Sequence, residues 1–226
     1  MKRPVYDYSG FRLSRIKEPR FSHIGLMIAT WGTYFLLYFL TENLIPAERC
    51  ISVHCRLDDI MVFNEYFVVF YVGWYLLVAG SLVYYLLYDV KRFRELDLYI
   101  FVTQMVAMAC YILVPTRQDL RPEVFPRENV FSWIMGLIYT LDTNTGVCPS
   151  LHVAYSLAIL AVYWRDENIS RLWKAILLVL VVLISLSTAF VKQHSMVDVF
   201  AALPVSLAAE IFVYGKSYWK PKLSKK

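Results

Sequence analysis

The chain has 226 residues, is 58% hydrophobic with a mean hydropathy of +0.48, and keeps its charges in short clusters between long apolar runs. This pattern excludes a water-soluble globule and fits one membrane-embedded bundle. A net charge of +5 does not imply a nucleic-acid partner, because the basic residues gather at the chain ends and in short connectors, where a membrane protein keeps its cytoplasmic anchors.

Residues 1–23 are basic and polar and show no cleavable-signal pattern, since the apolar run that follows is long enough to stay in a bilayer. Six apolar segments come next, at about 24–40, 66–88, 98–114, 149–164, 175–191 and 196–214. A helix needs roughly 20 residues to cross the hydrocarbon, and all but the fourth segment meet that length. The expected fold is therefore all-α, a polytopic bundle of six transmembrane helices over residues 24–214, followed by a basic tail at 215–226.

The connectors set an orientation. Lys2, Arg3, Arg12, Arg15, Lys17 and Arg20 precede the first segment, Lys91, Arg92 and Arg94 lie between the second and third, and Arg165, Arg171 and Lys174 between the fourth and fifth. Lys216, Lys220, Lys222, Lys225 and Lys226 close the chain. The positive-inside rule places both termini in the cytoplasm and the loops holding Arg121, His152 and His194 on the outer side, as expected of a multi-pass plasma-membrane protein. In the first outer loop, 41–65, Cys50 and Cys55 can pair in an oxidising compartment, but one nearby histidine, His54, does not make a zinc site, and the segment reads as a plain loop. In the second, the apolar run 130–139 is too short to cross and is expected at the interface, with Trp133 and Tyr139 as belt residues.

Two of the chain's four histidines sit in a split polar constellation, Cys148-Pro149-Ser150-Leu151-His152 and Ser187 through Lys192-Gln193-His194-Ser195-Met196-Val197-Asp198. Pro149 suits a helix's first turn. The helix it starts presents free amides and a positive dipole end, to which the Ser150 hydroxyl can add a donor, and such a start holds phosphate. Residues 149–164 span about 24 Å at 1.5 Å per residue, less than a hydrocarbon core of about 30 Å, so His152 is expected slightly below the outer surface. His194 and Asp198, four apart, share a face if helical, so the carboxylate can orient the imidazole. One histidine to attack a phosphoryl group, a second to protonate the leaving oxygen and a helix start to hold the oxygens make one coherent site. No carboxylate cluster calls for a metal, and no cofactor is implied.

These residues resemble the type 2 phosphatidic acid phosphatase superfamily, metal-independent lipid phosphatases and phosphotransferases whose pattern is Lys-x6-Arg-Pro, Pro-Ser-Gly-His and Ser-Arg-x5-His-x3-Asp. Arg121-Pro122, Pro149-Ser150-Leu151-His152 and Ser187, His194 and Asp198 match the three blocks in order, over roughly residues 117–198. The resemblance implies that His194 is the nucleophile, oriented by Asp198, with His152 as general acid. Arg121 and Ser150, with backbone amides near Leu151, would hold the phosphate oxygens, and Ser187 belongs to the same shell. Three positions depart. The first block's Lys is Val114, leaving Arg117 as the nearest cation, and Leu151 replaces the Gly, as in inositol-phosphorylceramide synthases. The third block's Arg is Thr188; Lys192, four residues on, would supply its charge if the helix continues, and Lys192→Ala tests this. The implied activity is hydrolysis of a phosphomonoester or diphosphate lipid. Transfer of a phosphoalcohol headgroup to a lipid hydroxyl is the alternative, and a non-catalytic membrane protein with a degenerate site a third.

His23 and His54 read as ordinary interfacial residues, and Glu210 as a structural acid snorkelling toward the Lys216 end. Tyr34, Tyr38, Tyr84 and Tyr85 read as belt and packing residues rather than a headgroup cage.

Overall fold

The computed structural model describes residues 4–219; the basic Lys2, Arg3, Lys220, Lys222, Lys225 and Lys226 lie outside the described residues. Eight α-helices follow in order: α1 Ser22–Leu44, α2 Arg56–Ile60, α3 Val68–Tyr88, α4 Val90–Leu113, α5 Val130–Leu141, α6 Leu151–Arg165, α7 Arg171–Phe190 and α8 Met196–Trp219. Two short parallel strands, β1 Ile51–Ser52 and β2 Thr116–Arg117, stitch the two long loops together. The all-α expectation holds.

Local chemistry sets most of the helix ends. A single residue, Asp89, separates α3 from α4, and its carboxylate caps the new helix by accepting from Arg92 N at 3.1 Å. That cap moves the start of α4 well ahead of the expected residue 98, so Lys91, Arg92 and Arg94 ride on its first turns rather than in a connector. Asn129 caps α5 in the same way, accepting from Phe131 N and Ser132 N, and Ser170 caps α7 by accepting from Trp173 N.

Among the described residues, five helices are long and apolar enough to cross a membrane, all of the proposed spans except the fourth. That fourth segment forms α6, only 15 residues long, or about 22 Å. It is the hub of the bundle, packed on α3, α4, α7 and α8, with Ala154, Ala158, Ile159 and Val162 fully buried. Small residues at that face let the neighbouring helices close in. Although short, α6 connects the two ends of the molecule. At its start Ser150 N donates to Asp198 O at 3.1 Å. At its finish Asp166 lies 3.7 Å from Arg92 and accepts from Tyr85 Oη at 3.3 Å.

The two loop groups thus sit at opposite ends. One end gathers the loops holding α2, both strands and α5 with the α7–α8 turn. The other gathers the N-terminal segment with the α3–α4 and α6–α7 connectors, as when Tyr8 Oη donates to Leu86 O at 2.7 Å. Helix α5 lies across the first end with Trp133 exposed and Met135 buried against Phe63, Val68 and Tyr71. Tyr139 points inward instead, its hydroxyl donating to Val191 O at 2.7 Å.

Helix α1 is the least embedded; it packs chiefly on α4. Its polar tie is Asp97, buried on α4, which accepts from Thr30 Oγ1 at 3.1 Å and Trp31 Nε1 at 3.2 Å.

Several expectations change here. His23 is fully buried, not interfacial, because the N-terminal segment folds over it and Tyr8 Oη meets its Nε2 at 2.9 Å. His54 stays exposed and pairs with Asp59 at 2.7 Å. Glu210 pairs with Arg165 on α6 rather than reaching toward Lys216. All four cysteines, Cys50 and Cys55 included, are free thiols.

Candidate active site

The α7–α8 turn is built by two successive helix signals. Helix α7 ends at Phe190 in a Schellman motif: Gln193 N donates to Thr188 O at 3.0 Å and Lys192 N to Ala189 O at 3.2 Å. Lys192 takes the left-handed position, with φ at +52°, where glycine is usual. Helix α8 then opens with Ser195 as its cap. The Ser195 hydroxyl accepts from Val197 N at 3.1 Å, and the Asp198 carboxylate reaches back to Ser195 N at 3.0 Å, so the serine caps the helix and the aspartate returns a bond to the cap. His194 is the one residue between these motifs, and its own N–H donates to Thr188 O at 3.0 Å.

That placement aims the imidazole. His194 Nδ1 lies 3.2 Å from Asp198 Oδ2. An ionised carboxylate only accepts, so Nδ1 carries the hydrogen and Nε2 keeps a free lone pair. Asp198 is fully buried, and His194 lines the adjoining cavity.

His152 occupies the first turn of α6, with Ser150 as the cap residue and Pro149 just before it. The helix therefore starts two residues later than the sequence indicates. The His152 ring is held between Tyr71, at 4.4 Å, and Trp74, at 4.1 Å between centroids, and faces the His194 ring edge-on at 5.8 Å. Its Nε2 and the Ser150 hydroxyl are buried with no protein partner. Unpaired buried polar groups are costly, and both belong to the proposed phosphate site.

The cavity below the two rings has a volume of about 660 Å³ and runs between α1 and α3. Met27 to Tyr38 of α1 and Tyr71 to Leu82 of α3 line it; eleven helical steps make roughly 16 Å, about one leaflet of a hydrocarbon core of about 30 Å. Its walls are aromatic and aliphatic, with Leu151 and His152 at its head. Tyr34 and Tyr38 are thus cavity walls, a departure from their reading as belt residues.

The remaining candidates are placed as follows. The Arg121 guanidinium donates to the carbonyls of Tyr139, Asp142 and Thr143 and to Gln193 Oε1 at 2.6 Å. It braces the chain beside His194, and burial lowers its pKa. Arg117 pairs with Asp119 at 3.2 Å and donates to Ala47 O at 3.1 Å, so it ties the two loops together. The Ser187 hydroxyl is buried and donates within its own helix to Ile184 O at 2.7 Å. Lys192 does not share the face of Thr188, because α7 has already ended. Its ammonium donates to Asp58 O at 2.8 Å, and burial lowers its pKa.

Two residues that matter here escaped the sequence reading. Asp58, buried in α2, accepts from Ser195 Oγ at 2.6 Å and Cys55 N at 2.8 Å through Oδ2, and from Met196 N at 2.8 Å through Oδ1. Burial pushes its carboxyl up, but the Ser195, Met196 and Cys55 hydrogen bonds outweigh this and hold it below the usual range. Asp142 ends α5 and lines the cavity beside Gln193, which donates to it at 3.3 Å. Burial raises its carboxyl pKa. A C-cap aspartate just before the Thr-Asn-Thr-Gly turn was the available signal for Asp142; Asp58 had none beyond its own short helix.

Among the described residues, no three His, Cys, Asp or Glu side chains converge as a metal site would require. Compared with family models, curated proteins and solved structures, the chain matches none.

Proposed function

We propose that this protein is an integral membrane enzyme of the type 2 phosphatidic acid phosphatase kind. It cleaves a lipid phosphoester without a metal, through a phosphohistidine on His194. In this reading α6 is the fourth of six crossings, both termini are cytoplasmic, and the site opens on the outer side of the plasma membrane. One observation carries the proposal: a histidine whose Nδ1 is held by a buried aspartate keeps Nε2 free at the head of a leaflet-deep apolar cavity, with a second histidine 5.8 Å away. The chain of the lipid occupies the cavity. The phosphate meets the start of α6, where the amides near Leu151 and the Ser150 hydroxyl hold its oxygens. His194 Nε2 attacks phosphorus, and His152 gives its proton to the departing oxygen.

Hydrolysis requires water to accept the phosphoryl group from His194. A second reading, transfer of the group to a lipid hydroxyl, is favoured by the absence of Lys and Arg among the residues lining the cavity, since a multiply charged phosphate needs more cations than a diester. Phosphate release or headgroup transfer measured in EDTA with wild-type protein and His194→Ala tests both readings.

A further inference from the structure

We propose that Tyr71 and Trp74 on α3 are the positioning residues of His152: their ring faces clamp its imidazole and stabilise the charged form from which it protonates the leaving oxygen. This goes beyond the proposed function and rests on its reading of His152 as the general acid.

The two histidines of the site are held differently. His194 has a buried carboxylate 3.2 Å from its Nδ1, whereas His152 Nε2 is buried without a protein partner. Tyr71 and Trp74 stand three apart on α3, so they share a face with Cβ atoms about 5–6 Å apart, and the imidazole enters between them. The Tyr71 ring lies 4.4 Å from it at 25°, and the Trp74 ring 4.1 Å from it at 35°. Tyr155, three residues beyond His152 on α6, stacks on Trp74 in turn at 5.5 Å and 28°. All three aromatic side chains are buried, so the stack fixes the plane of the histidine ring.

An imidazolium taken out of water is costly unless something answers its charge. Aromatic faces are negative, and they attract a cation within about 6 Å of the ring centroid, most strongly where water is excluded. Both flanking rings fall within that distance. The ionisable groups around His152 are otherwise occupied or unhelpful. His194, 5.8 Å away on the α7–α8 turn, opposes a second positive charge. Tyr75 of α3 stands nearly perpendicular at 6.1 Å. Asp198 of α8 and Asp142 at the end of α5 are bonded to His194 and Gln193 instead. The phenols of Tyr34 and Tyr38 on α1 and of Tyr111 on α4 line the same cavity and carry no charge at neutral pH.

The charge on His152 cycles through the reaction. The imidazolium gives its proton to the leaving oxygen as the P–O bond breaks and the N–P bond to His194 forms, which leaves a neutral ring between the two faces. Water or a lipid hydroxyl then attacks phosphorus, breaks the N–P bond and returns its proton to His152. A general acid must be protonated at the working pH to act, and faces that favour the charged ring reset it for the next turnover.

The experiment reads the protonation of His152 without substrate, and turnover apart from it, on the full chain in detergent micelles. Nuclear magnetic resonance of protein carrying ring-labelled histidine follows the pH titration, with the His152 signal identified by its loss in His152→Gln. Trp74→Leu and Tyr71→Leu are each expected to move the His152 midpoint down by roughly one pH unit. Trp74→Phe and Tyr71→Phe keep a ring face and should recover at least about half of that shift. In turnover, the Leu variants should lower kcat roughly tenfold on the alkaline limb of its pH profile and move that limb by the same shift, whereas lost packing alone would leave the limb in place. A fluorinated tryptophan at position 74 alone weakens the ring face and keeps its packing; it is the second arm should the Leu variants fail to fold, and should move the midpoint the same way. An unmoved midpoint, Phe variants no better than Leu, or a wild-type His152 ring that stays neutral from about pH 8 down to about pH 5 overturns the inference. Cleavage that His194→Ala abolishes would leave the proposed function standing in that case. The expected shifts in a protein that cleaves no phosphoester keep the clamp on the ring and sink the reading of His152 as the acid.

Discussion

Asp58→Ala is the most informative single change outside the histidine pair. The Asp58 carboxylate accepts three hydrogen bonds at 2.6–2.8 Å, two of them from Ser195 and Met196 at the start of α8. Losing it leaves three donors unpaired, two of them buried, at roughly 1.3 kcal/mol each, so about 4 kcal/mol of stability is at stake. A negative charge at the α8 N-terminus is lost as well. At 2–4 °C per kcal/mol for a chain of this size, the melting temperature in detergent should fall by roughly 8–16 °C. Asp58→Asn keeps the volume and one acceptor oxygen, and should lose about half as much. Because the clamp holds the turn that aims His194 without touching substrate, kcat should fall at least tenfold in Asp58→Asn while KM changes little. A melting temperature within about 2 °C of wild type in Asp58→Ala, or a normal kcat in Asp58→Asn, would refute the clamp.

Other substitutions probe the remaining links. His194→Gln should abolish phosphoester cleavage, and Asp198→Asn should lower kcat by roughly 10²–10⁴, as expected when a histidine loses its orienting carboxylate; single-turnover kinetics measure both. Lys192→Gly should be about 1 kcal/mol more stable than Lys192→Ala, because only glycine relieves the positive φ, and thermal unfolding of the pair decides it. Lys192→Ala itself should keep most of its activity, since the ammonium serves the Asp58 carbonyl; a complete loss would restore the charge-replacement role expected of it from sequence. Burial raises the pKa of Asp142, so its charge is lost on acidification starting above the ordinary value of about 3.9. Thermal stability should rise over that range, because the folded protein binds this proton more tightly than the unfolded chain, and Asp142→Asn should flatten the profile.

Much of the scaffold was legible because a hydrocarbon solvent leaves few options. Apolar runs had to be helices, and the shortness of 149–164 survives in the 15 residues of α6. The contact between His194 and Asp198 was found through a spacing rule that does not apply, since His194 precedes α8. Ser195 is a readable helix cap with Asp198 three residues on, and the bond from Ser195 N to that carboxylate accounts for the contact better than a shared helical face. Lys192 was misplaced because the end of α7 is marked by no glycine; the left-handed residue there is the lysine itself. Asp58 meets Ser195 across 137 positions, a pairing that no local pattern encodes. The cavity depends on α1 and α3 standing apart on either side of α4, so Tyr34 and Tyr38 looked like ordinary belt residues until the helices were placed.

The central claim is the phosphohistidine. The most direct measurement incubates purified protein in EDTA with phosphatidylcholine or phosphatidic acid carrying labelled phosphorus, quenches in alkali, and maps the label by mass spectrometry. The account predicts an acid-labile, alkali-stable adduct on His194 that forms more slowly in His152→Ala and is absent from His194→Ala. Turnover with no label on His194, or label that persists in His194→Ala, would contradict it.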